Sequence, residues 1–235
     1  MATFIALDTS STACSVALVH GESRISKLSD SPREHAGLLL PFVDELLSQA
    51  GVSASDLDFV ACCQGPGSFT GLRIGLGIAQ GLAFALNKPM VGVSSLAAMA
   101  RTVQLSHPDA LSTACLLDAR MNEIYWAVYE IGNGIVSASV EPNLIGKNEL
   151  NATLLSLVQD APQTVIAGEA ARLFNFPSDI SQQLIFDFNI APNADAIADL
   201  ALEKWLQGEA CAAKDFQLTY LRNSVSWNKR QRIRS

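Results

Sequence analysis

Short apolar runs separated by turn residues open the chain and predict three strands. Thr3–Leu7, Cys14–His20 and Arg24–Ser29 each have the length of a strand, and polar or glycine-containing turns lie between them. Such a succession is typical of an antiparallel meander. From Glu34 to Ala50 the apolar residues recur every three or four positions, which predicts a helix that stops at Gly51.

Strands then alternate with helices. The sequence predicts strands at Asp58–Cys63 and Met90–Val93, and helices at Gly71–Asn87 and Ser94–Val103. Because parallel strands need a crossover between them, this alternation predicts a parallel extension of the same sheet. We therefore expect an α/β lobe that is built on a mixed sheet.

The same pattern begins again after residue 112. The apolar strand Ala114–Leu117 ends in Asp118, as the first strand ends in Asp8, and the offset between these aspartates also places Cys14 on Ile124. We interpret this as an internal structural duplication with a degenerate second copy. Its further predicted elements are a hairpin through Gly132–Gly134, a polar stretch at Glu141–Asn148, a helix at Leu150–Val158, a strand at Thr164–Ala167 and a helix at Ala194–Gly208.

The segment Ser106–Ser112 breaks both periodicities and contains Pro108, so we place the boundary between two lobes there. The predicted N-terminal lobe comprises residues 1–105 and the C-terminal lobe residues 106–235. The last helix is expected to pack back on the first lobe.

Charge limits the class of partner. The chain of 235 residues carries a formal net charge of −7, which opposes a broad phosphate-binding surface and argues against tight binding of RNA by this chain alone. The last eight residues, Asn228–Ser235, hold four cations and no acid, which fits either a solvated tail or an RNA contact.

No leader is recognisable and no apolar run approaches the roughly 20 residues of a membrane span, so we expect a cytoplasmic protein without a membrane contact.

Cysteine and histidine placement argues against a metal site. Cys14, Cys62, Cys63 and Cys115 lie in apolar strand-like stretches, where we expect buried, reduced thiols. Adjacent residues of a strand point to opposite faces, so Cys62 and Cys63 do not form a zinc pair. The three histidines are far apart in sequence, and none has a second histidine four residues on.

The segment Gln64–Arg73 combines three glycines and a proline between a predicted strand and a predicted helix. Such a turn presents backbone N–H groups and a helix N-terminus to an anion, but it also occurs as a purely structural turn. It lacks the lysine of a Walker motif. Both interpretations stay open, and the candidate nucleotide-binding residues are Asp8, Thr9, Ser10, Gly65 and Gly67.

The helix that follows this turn contains no charged residue between Arg73 and Lys88. A helix on the outside of a soluble lobe normally carries a charged face, so an apolar helix must be covered on two sides. Its four glycines, Gly71, Gly75, Gly77 and Gly81, each cost about 1 kcal/mol relative to alanine, which indicates a compensating close contact. We expect the sheet on one side, and on the other the helix Glu34–Ala50, a second lobe or another protein. Burial within the chain explains part of this apolar surface, and we favour a partner protein for the rest.

Four motifs together resemble the bacterial TsaB family, also called YeaZ, over essentially the whole chain. They are Leu7–Ser10, Gly65–Arg73, Asp118–Met121 and Tyr220–Arg222. The resemblance implies a two-lobed actin-like ATPase (ASKHA) fold, an α/β architecture of duplicated RNase H-like lobes with mixed sheets. It also implies a role in making threonylcarbamoyladenosine beside the anticodon of tRNAs that read codons starting with A.

The catalytic relative, TsaD, carries a metal-binding His-x-x-x-His motif that the equivalent stretch Val93–Met99 lacks. The resemblance therefore implies a partner without catalytic or metal-binding residues, which binds TsaD through its first two helices. The corresponding residues here are Leu39, Phe42, Val43, Leu46, Arg73, Ile74, Gly75, Gly77, Ile78, Gly81 and Leu82.

The resulting hypothesis is a non-catalytic scaffold subunit that binds and stabilises TsaD. The resemblance further implies TsaE in a larger complex, a homodimer in the absence of TsaD, and only indirect contact with tRNA. We expect no cofactor of the chain's own, with ATP or ADP restricted to the boundary with TsaD. The alternative is an enzyme, either a nucleotide-binding ATPase or a glycoprotease-like protein, although no G-x-S-x-G elbow is present.

Overall fold

The computed structural model describes residues 2–31, 35–132, 134–158, 163–174 and 184–222, and these form two five-stranded sheets with helices. The basic segment at the carboxyl terminus, beyond residue 222, lies outside the described residues. The elements in chain order are β1 (Thr3–Asp8), β2 (Cys14–His20), β3 (Ser23–Ser29), α1 (His35–Ala50), β4 (Phe59–Gly65), α2 (Phe69–Leu86), β5 (Met90–Ser94), α3 (Ser95–Ser106), β6 (Ser112–Arg120), β7 (Glu123–Gly132), β8 (Ile135–Gly146), α4 (Lys147–Val158), β9 (Thr164–Ala167), β10 (Ile185–Asp187) and α5 (Ala194–Leu206).

The first sheet has the strand order β3-β2-β1-β4-β5. Strands β1, β2 and β3 form the antiparallel meander, and β4 and β5 extend it in parallel, as the sequence predicts. Every residue of β1 is buried because helices cover both faces of the sheet, with α1 and α2 on one face and α5 on the other. This double cover explains why β1 and β4 lack the polar alternation of a half-exposed strand.

The second sheet repeats the first. Its order, β10-β9-β6-β7-β8, has an antiparallel meander of β6, β7 and β8 and two parallel strands, β9 and β10, on the other side of β6. β6 therefore occupies the position of β1, and Asp118 lies near the end of β6 as Asp8 lies at the end of β1. The predicted duplication and the two-lobed α/β fold with mixed sheets are confirmed.

Two elements differ from the prediction. The polar stretch from Glu141 belongs mostly to β8, which pairs only with β7 and is largely open to solvent, so its residues need no apolar pattern. Strand β10 was not predicted, because three residues are too few to show a period.

The last helix lies on the first sheet. Phe4 and Phe59 stack with ring centroids 4.3 Å apart. The ring of Trp205 in α5 also stacks on Phe59, with centroids 4.7 Å apart. The backbone N–H of Ala194 donates to the Ser15 hydroxyl of β2 at 2.9 Å. Because α5 follows the second sheet in the chain, the core of the first lobe includes residues from both ends of the protein.

Residues 211–222, which we call the C-terminal strap, run from α5 across the first lobe to the second. The backbone of Cys211 forms an isolated antiparallel β-bridge with Met90 of β5. The side chain of Gln80 in α2 donates to the Ala213 carbonyl at 2.8 Å. Phe216 is buried, and the Thr219 N–H donates to the Gln64 carbonyl at 2.8 Å. The strap has almost no regular secondary structure and no apolar period, so the sequence gives no sign of its path.

Candidate functional site

The glycine-rich turn between β4 and α2 is held by its own cap. The Ser68 hydroxyl accepts a hydrogen bond from the Gly71 N–H at 3.2 Å and starts α2 at Phe69, two residues before the predicted start. Gly65 has φ of +100°, a backbone conformation that favours glycine. The helix cap therefore gives Ser68 a structural role, and the positive φ gives one to Gly65.

The turn packs tightly against the segment that follows β1. The Ser68 N–H donates to the Ser10 carbonyl at 2.7 Å, and the Thr9 hydroxyl donates to the Gly71 carbonyl at 2.8 Å. A Cβ atom at Gly67 would lie 2.4 Å from the Ser10 carbonyl oxygen. Two hydrogen bonds thus join the turns across the region where a phosphate cradle was one of the two interpretations, and one of them occupies the N–H of Ser68.

Asp8 lies under this contact and is only 1% exposed. Burial raises the pKa of its carboxyl, while hydrogen bonds from Ser10 partly oppose that change. The Ser10 N–H donates to Asp8 Oδ1 at 3.0 Å. Mg²⁺ binds carboxylate oxygens that it can reach, and the Asp8 carboxyl is covered in this arrangement.

The five candidate nucleotide-binding residues therefore lie together, as their placement at strand ends predicts. Asp8, Thr9, Ser10 and Gly65 are buried, and Gly67 is half-buried. In this structure the five residues pack against one another in the interior and do not face an open cleft.

The predicted interface residues separate into an inner and an outer set. Leu39, Val43 and Leu46 of α1 are at most 2% exposed and contact the sheet, so they offer no surface to a partner. Gly75 is also an inner residue, since a Cβ there would lie 2.3 Å from Thr9 Oγ1. These four predicted interface residues are therefore buried within the chain, because helical spacing alone does not tell which face meets the sheet.

The outer set forms a continuous face of α2, which we call the α2 stripe: Arg73, Ile74, Gly77, Ile78 and Gly81. Apart from the chain neighbours and the backbone of α2 itself, no atom of the described residues lies within 4 Å of a Cβ built at Gly77 or Gly81. Phe42 and Leu82 are half-buried beside this face, and Phe84 at its far end is 81% exposed. The stripe is thus an apolar surface with two glycines at its centre.

α2 is also long and apolar enough to cross a membrane, with 18 residues and a mean hydropathy of 1.4. The expectation that no apolar run approaches that length was wrong for this segment. However, Leu72, Ala79 and Ala83 on its inner face are buried against the first lobe. Length and composition alone are weak evidence for a span, since a core helix passes the same test.

Three side chains meet at the amino-terminal end of the α2 stripe, and sequence reasoning missed this cluster. The guanidinium of Arg73 lies 3.8 Å above the Phe69 ring, and its Nε donates to the Tyr220 hydroxyl at 3.3 Å. The Phe69 and Tyr220 rings are tilted with centroids 5.9 Å apart. The signal was available in part, because Arg73 and Tyr220 belong to two of the motifs quoted above, but nothing in either motif says that they touch.

The remaining motif residues meet at the β6–β7 turn. Arg222 of the strap pairs with Glu123 and donates to the Ala119 carbonyl at 3.0 Å. Arg120, Met121 and Asn122 of this turn all have positive φ. The strap therefore connects the start of α2, through Tyr220, with the second lobe, through Arg222.

The described thiols are mostly buried, and the described acids do not gather into a metal-binding group. Cys14, Cys62, Cys63 and Cys115 are buried, as predicted, and burial raises the pKa of Cys62 and of Cys115 to about 12, which keeps both as unreactive thiols. Within the part of the chain that the structure describes, no group of three or more His, Cys, Asp or Glu side chains could hold a metal ion. His107 and Asp187 do meet, at 2.9 Å, where α3 ends beside β10.

Comparisons with known proteins identify the family. Residues 29–228 match the family model of TsaD, tRNA N6-adenosine threonylcarbamoyltransferase. The tRNA threonylcarbamoyladenosine biosynthesis protein TsaB of Escherichia coli is 34% identical over 226 residues, which cover 96% of each chain. The protein of the same name from Haemophilus influenzae is 35% identical, over 97% of this chain and 96% of the relative.

Solved structures agree with these sequence matches. YeaZ from Pseudomonas aeruginosa superimposes with a TM-score of 0.79 at 35% identity, over 94% of this chain and all of that one. A second structure from that organism, described as similar to peptidase YEAZ, gives a TM-score of 0.82 at 34% identity over the same shares. With this identity over nearly the full length, the chain belongs to the TsaB family, also called YeaZ.

Proposed function

We propose that this protein takes part in the formation of threonylcarbamoyladenosine on tRNA as a non-catalytic subunit that binds and stabilises the catalytic TsaD subunit. The names of the TsaB relatives support the pathway. The match of this chain to the TsaD family model supports TsaD as a partner whose fold is related to that of this chain. The observation that carries the proposal is the α2 stripe, a helix face on which Gly77 and Gly81 are exposed and the apolar Ile74 and Ile78 are only half-buried by the rest of the described chain.

The composition of the stripe favours a protein helix as its occupant. Glycine in a helix costs about 1 kcal/mol relative to alanine, and no described residue takes the space beside Gly77 and Gly81. Without a side chain, these two positions let another backbone approach closely. Exposed Phe84 and half-buried Phe42 and Leu82 would flank such a contact.

The same surface explains a homodimer when the partner is absent, because a two-fold contact would bury the stripe against its own copy. In this proposal TsaE joins the larger complex, and tRNA meets this chain only indirectly. Nucleotide is held at the boundary with TsaD rather than by Asp8, whose carboxyl is buried.

The enzyme alternative has one point in its favour, the description of a similar structure as peptidase-like. The buried state of Asp8 and the high pKa of the Cys62 thiol speak against an ATPase and against a thiol protease at these positions. We therefore retain the scaffold role as the conclusion.

Light scattering coupled to size-exclusion chromatography tests the proposal with the purified TsaD subunit. Gly77→Arg and Gly81→Arg fill open positions, so the fold should survive while the complex is lost. Gly132→Arg is the matched control, since Gly132 of β7 is also open but lies in the second lobe. A complex that forms equally well with Gly81→Arg and with the control would overturn the assignment of the surface.

A further inference from the structure

We propose that Arg73 is the charged anchor of the α2 stripe and that the bound partner presents a carboxylate to its guanidinium. This inference rests on the proposed function, because it names the chemistry that a partner must bring to that surface. It starts from a contrast: Arg73 is the one charged side chain on an 18-residue helix that is otherwise apolar or uncharged.

Within the described ranges Arg73 forms no ion pair, whereas most of the other arginines there do. In the described ranges, four arginines each pair with a carboxylate: Arg24 with Asp199, Arg101 with Glu203, Arg120 with Asp118 and Arg222 with Glu123. For Arg73, the contacts among those residues are the Phe69 ring and the Tyr220 hydroxyl. Neither of these neutralises its charge.

Those two contacts hold the guanidinium in place rather than bury it. Phe69 is 55% exposed and Tyr220 is 47% exposed, so the cluster lies at the surface. The phenol oxygen takes the Nε–H, and stacking on Phe69 fixes the plane of the group. The N–H donors on Nη1 and Nη2 remain for a ligand, and their planar fork matches the two oxygens of a carboxylate. An arginine that is already oriented loses less side-chain entropy on binding.

Within the C-terminal strap, the hydrogen bonds of neighbouring residues fix the position of Tyr220. The adjacent Thr219 N–H donates to the Gln64 carbonyl at 2.8 Å, and Arg222 is held by the β6–β7 turn. Tyr220 therefore acts as a positioning residue for Arg73.

Desolvation makes an anion on the partner necessary. An apolar helix that covers Ile74, Gly77 and Ile78 would also exclude water from the adjacent Arg73. Removing a cation from water without a counter-charge is costly, whereas a bidentate carboxylate compensates for that loss. The net charge of −7 disfavours a polyanion such as RNA, so a single acidic side chain of a protein is the chemistry that fits.

The test is titration calorimetry of the full chain with the purified TsaD subunit. Arg73→Gln should weaken binding at least about 30-fold, as expected when one member of a desolvated charge pair is truncated. Arg73→Lys should recover only part of that loss, because an ammonium lacks the planar fork. Tyr220→Phe keeps the ring and removes the acceptor of the Nε–H, so binding should weaken by only about 3-fold.

The matched control is Arg172→Gln. Arg172 also lies over an aromatic ring, that of Phe188, at 4.8 Å, but it belongs to the second lobe and should leave affinity unchanged. The affinity of the parent chain should fall as salt rises from about 0.05 M to about 0.5 M, and Arg73→Gln should reduce that dependence.

The outcomes separate the two proposals. If Gly81→Arg abolishes binding while Arg73→Gln stays within about threefold of the parent, the anchor is refuted and the partner surface stands. If neither variant affects a complex that forms, or if no complex forms, the proposed function fails and the anchor with it. If Arg73→Gln and Arg172→Gln weaken binding equally, the effect is one of general charge, which also refutes the anchor.

Discussion

The hydroxyl of Thr9 donates a 2.8 Å hydrogen bond to the carbonyl of Gly71, a residue that is 62 positions away in the chain. This bond joins the turn after β1 to the first turn of α2. Several tests depend on this contact and on its surroundings.

The contact predicts opposite effects at two glycines of the same helix. A Cβ atom at Gly71 would lie 2.0 Å from the Thr9 carbonyl oxygen, so Gly71→Ala should destabilise the fold by about 3 kcal/mol. Gly77→Ala meets no atom within 4 Å and should stabilise it by up to about 1 kcal/mol. Urea unfolding of both variants measures the difference, and equal effects would contradict the assigned faces of α2.

The buried carboxyl predicts a pH dependence at Asp8. Burial raises its pKa above the ordinary 3.8, so the folded state keeps a proton that the unfolded chain has already released. The stability from this proton is complete below about pH 4 and is lost as the pH rises through the folded pKa. Asp8→Asn should remove this component while its amide oxygen still accepts the bond from Ser10.

The measurement is the difference in unfolding free energy between parent and Asp8→Asn from about pH 4 to about pH 8. The unfolding free energy of the variant should increase relative to that of the parent as the pH rises. A constant difference across this range would show that Asp8 is not shifted in the folded protein.

Asp187 predicts a pH dependence of the opposite sign. The hydrogen bond with His107 lowers the pKa of its carboxyl, against a smaller effect of burial. The stability from this shift is present above the unfolded pKa and is lost as the pH falls through the folded pKa. Asp187→Asn should therefore lower Tm by about 2–4 °C near neutral pH and much less in acid. Circular dichroism measures Tm near neutral pH and in acid. An equal loss of Tm under both conditions would contradict a stabilising hydrogen bond between Asp187 and His107.

The β6–β7 turn predicts a stabilising change. Met121 has φ of +55° and is 59% exposed, so its side chain contributes little packing while its backbone adopts a conformation that costs about 1–2 kcal/mol. Met121→Gly should raise the unfolding free energy by about 1 kcal/mol. Asn122, with φ of +61°, is the control, since asparagine tolerates this conformation and Asn122→Gly should have little effect. A loss of stability with Met121→Gly would show that its side chain is needed.

The sequence predicted the features that depend on local pattern. The meander of β1 to β3, the parallel strands β4 and β5, and their repetition after residue 112 all follow from runs of apolar residues and from turn residues. The same local pattern failed where an element does not need an apolar face, as in the exposed edge strand β8.

The candidate site could be predicted only in part, for a reason that α2 illustrates. Gly75 and Gly77 are two residues apart and chemically identical, yet one touches Thr9 and the other is open. In a helix with a single charge, composition does not mark the outer face. The Arg73 cluster depends on Tyr220, which lies on a strap without periodicity, so only tertiary structure reveals it.

The position of α5 has a consequence for the order of folding during synthesis. The ribosome makes the first sheet early, but Trp205 and the other α5 residues that cover one of its faces emerge only after the whole second sheet. A chain usually folds domain by domain as it is made. Here we expect the first lobe to keep one apolar face of its sheet uncovered until α5 has been made, and so to complete its core only after the second sheet has been translated.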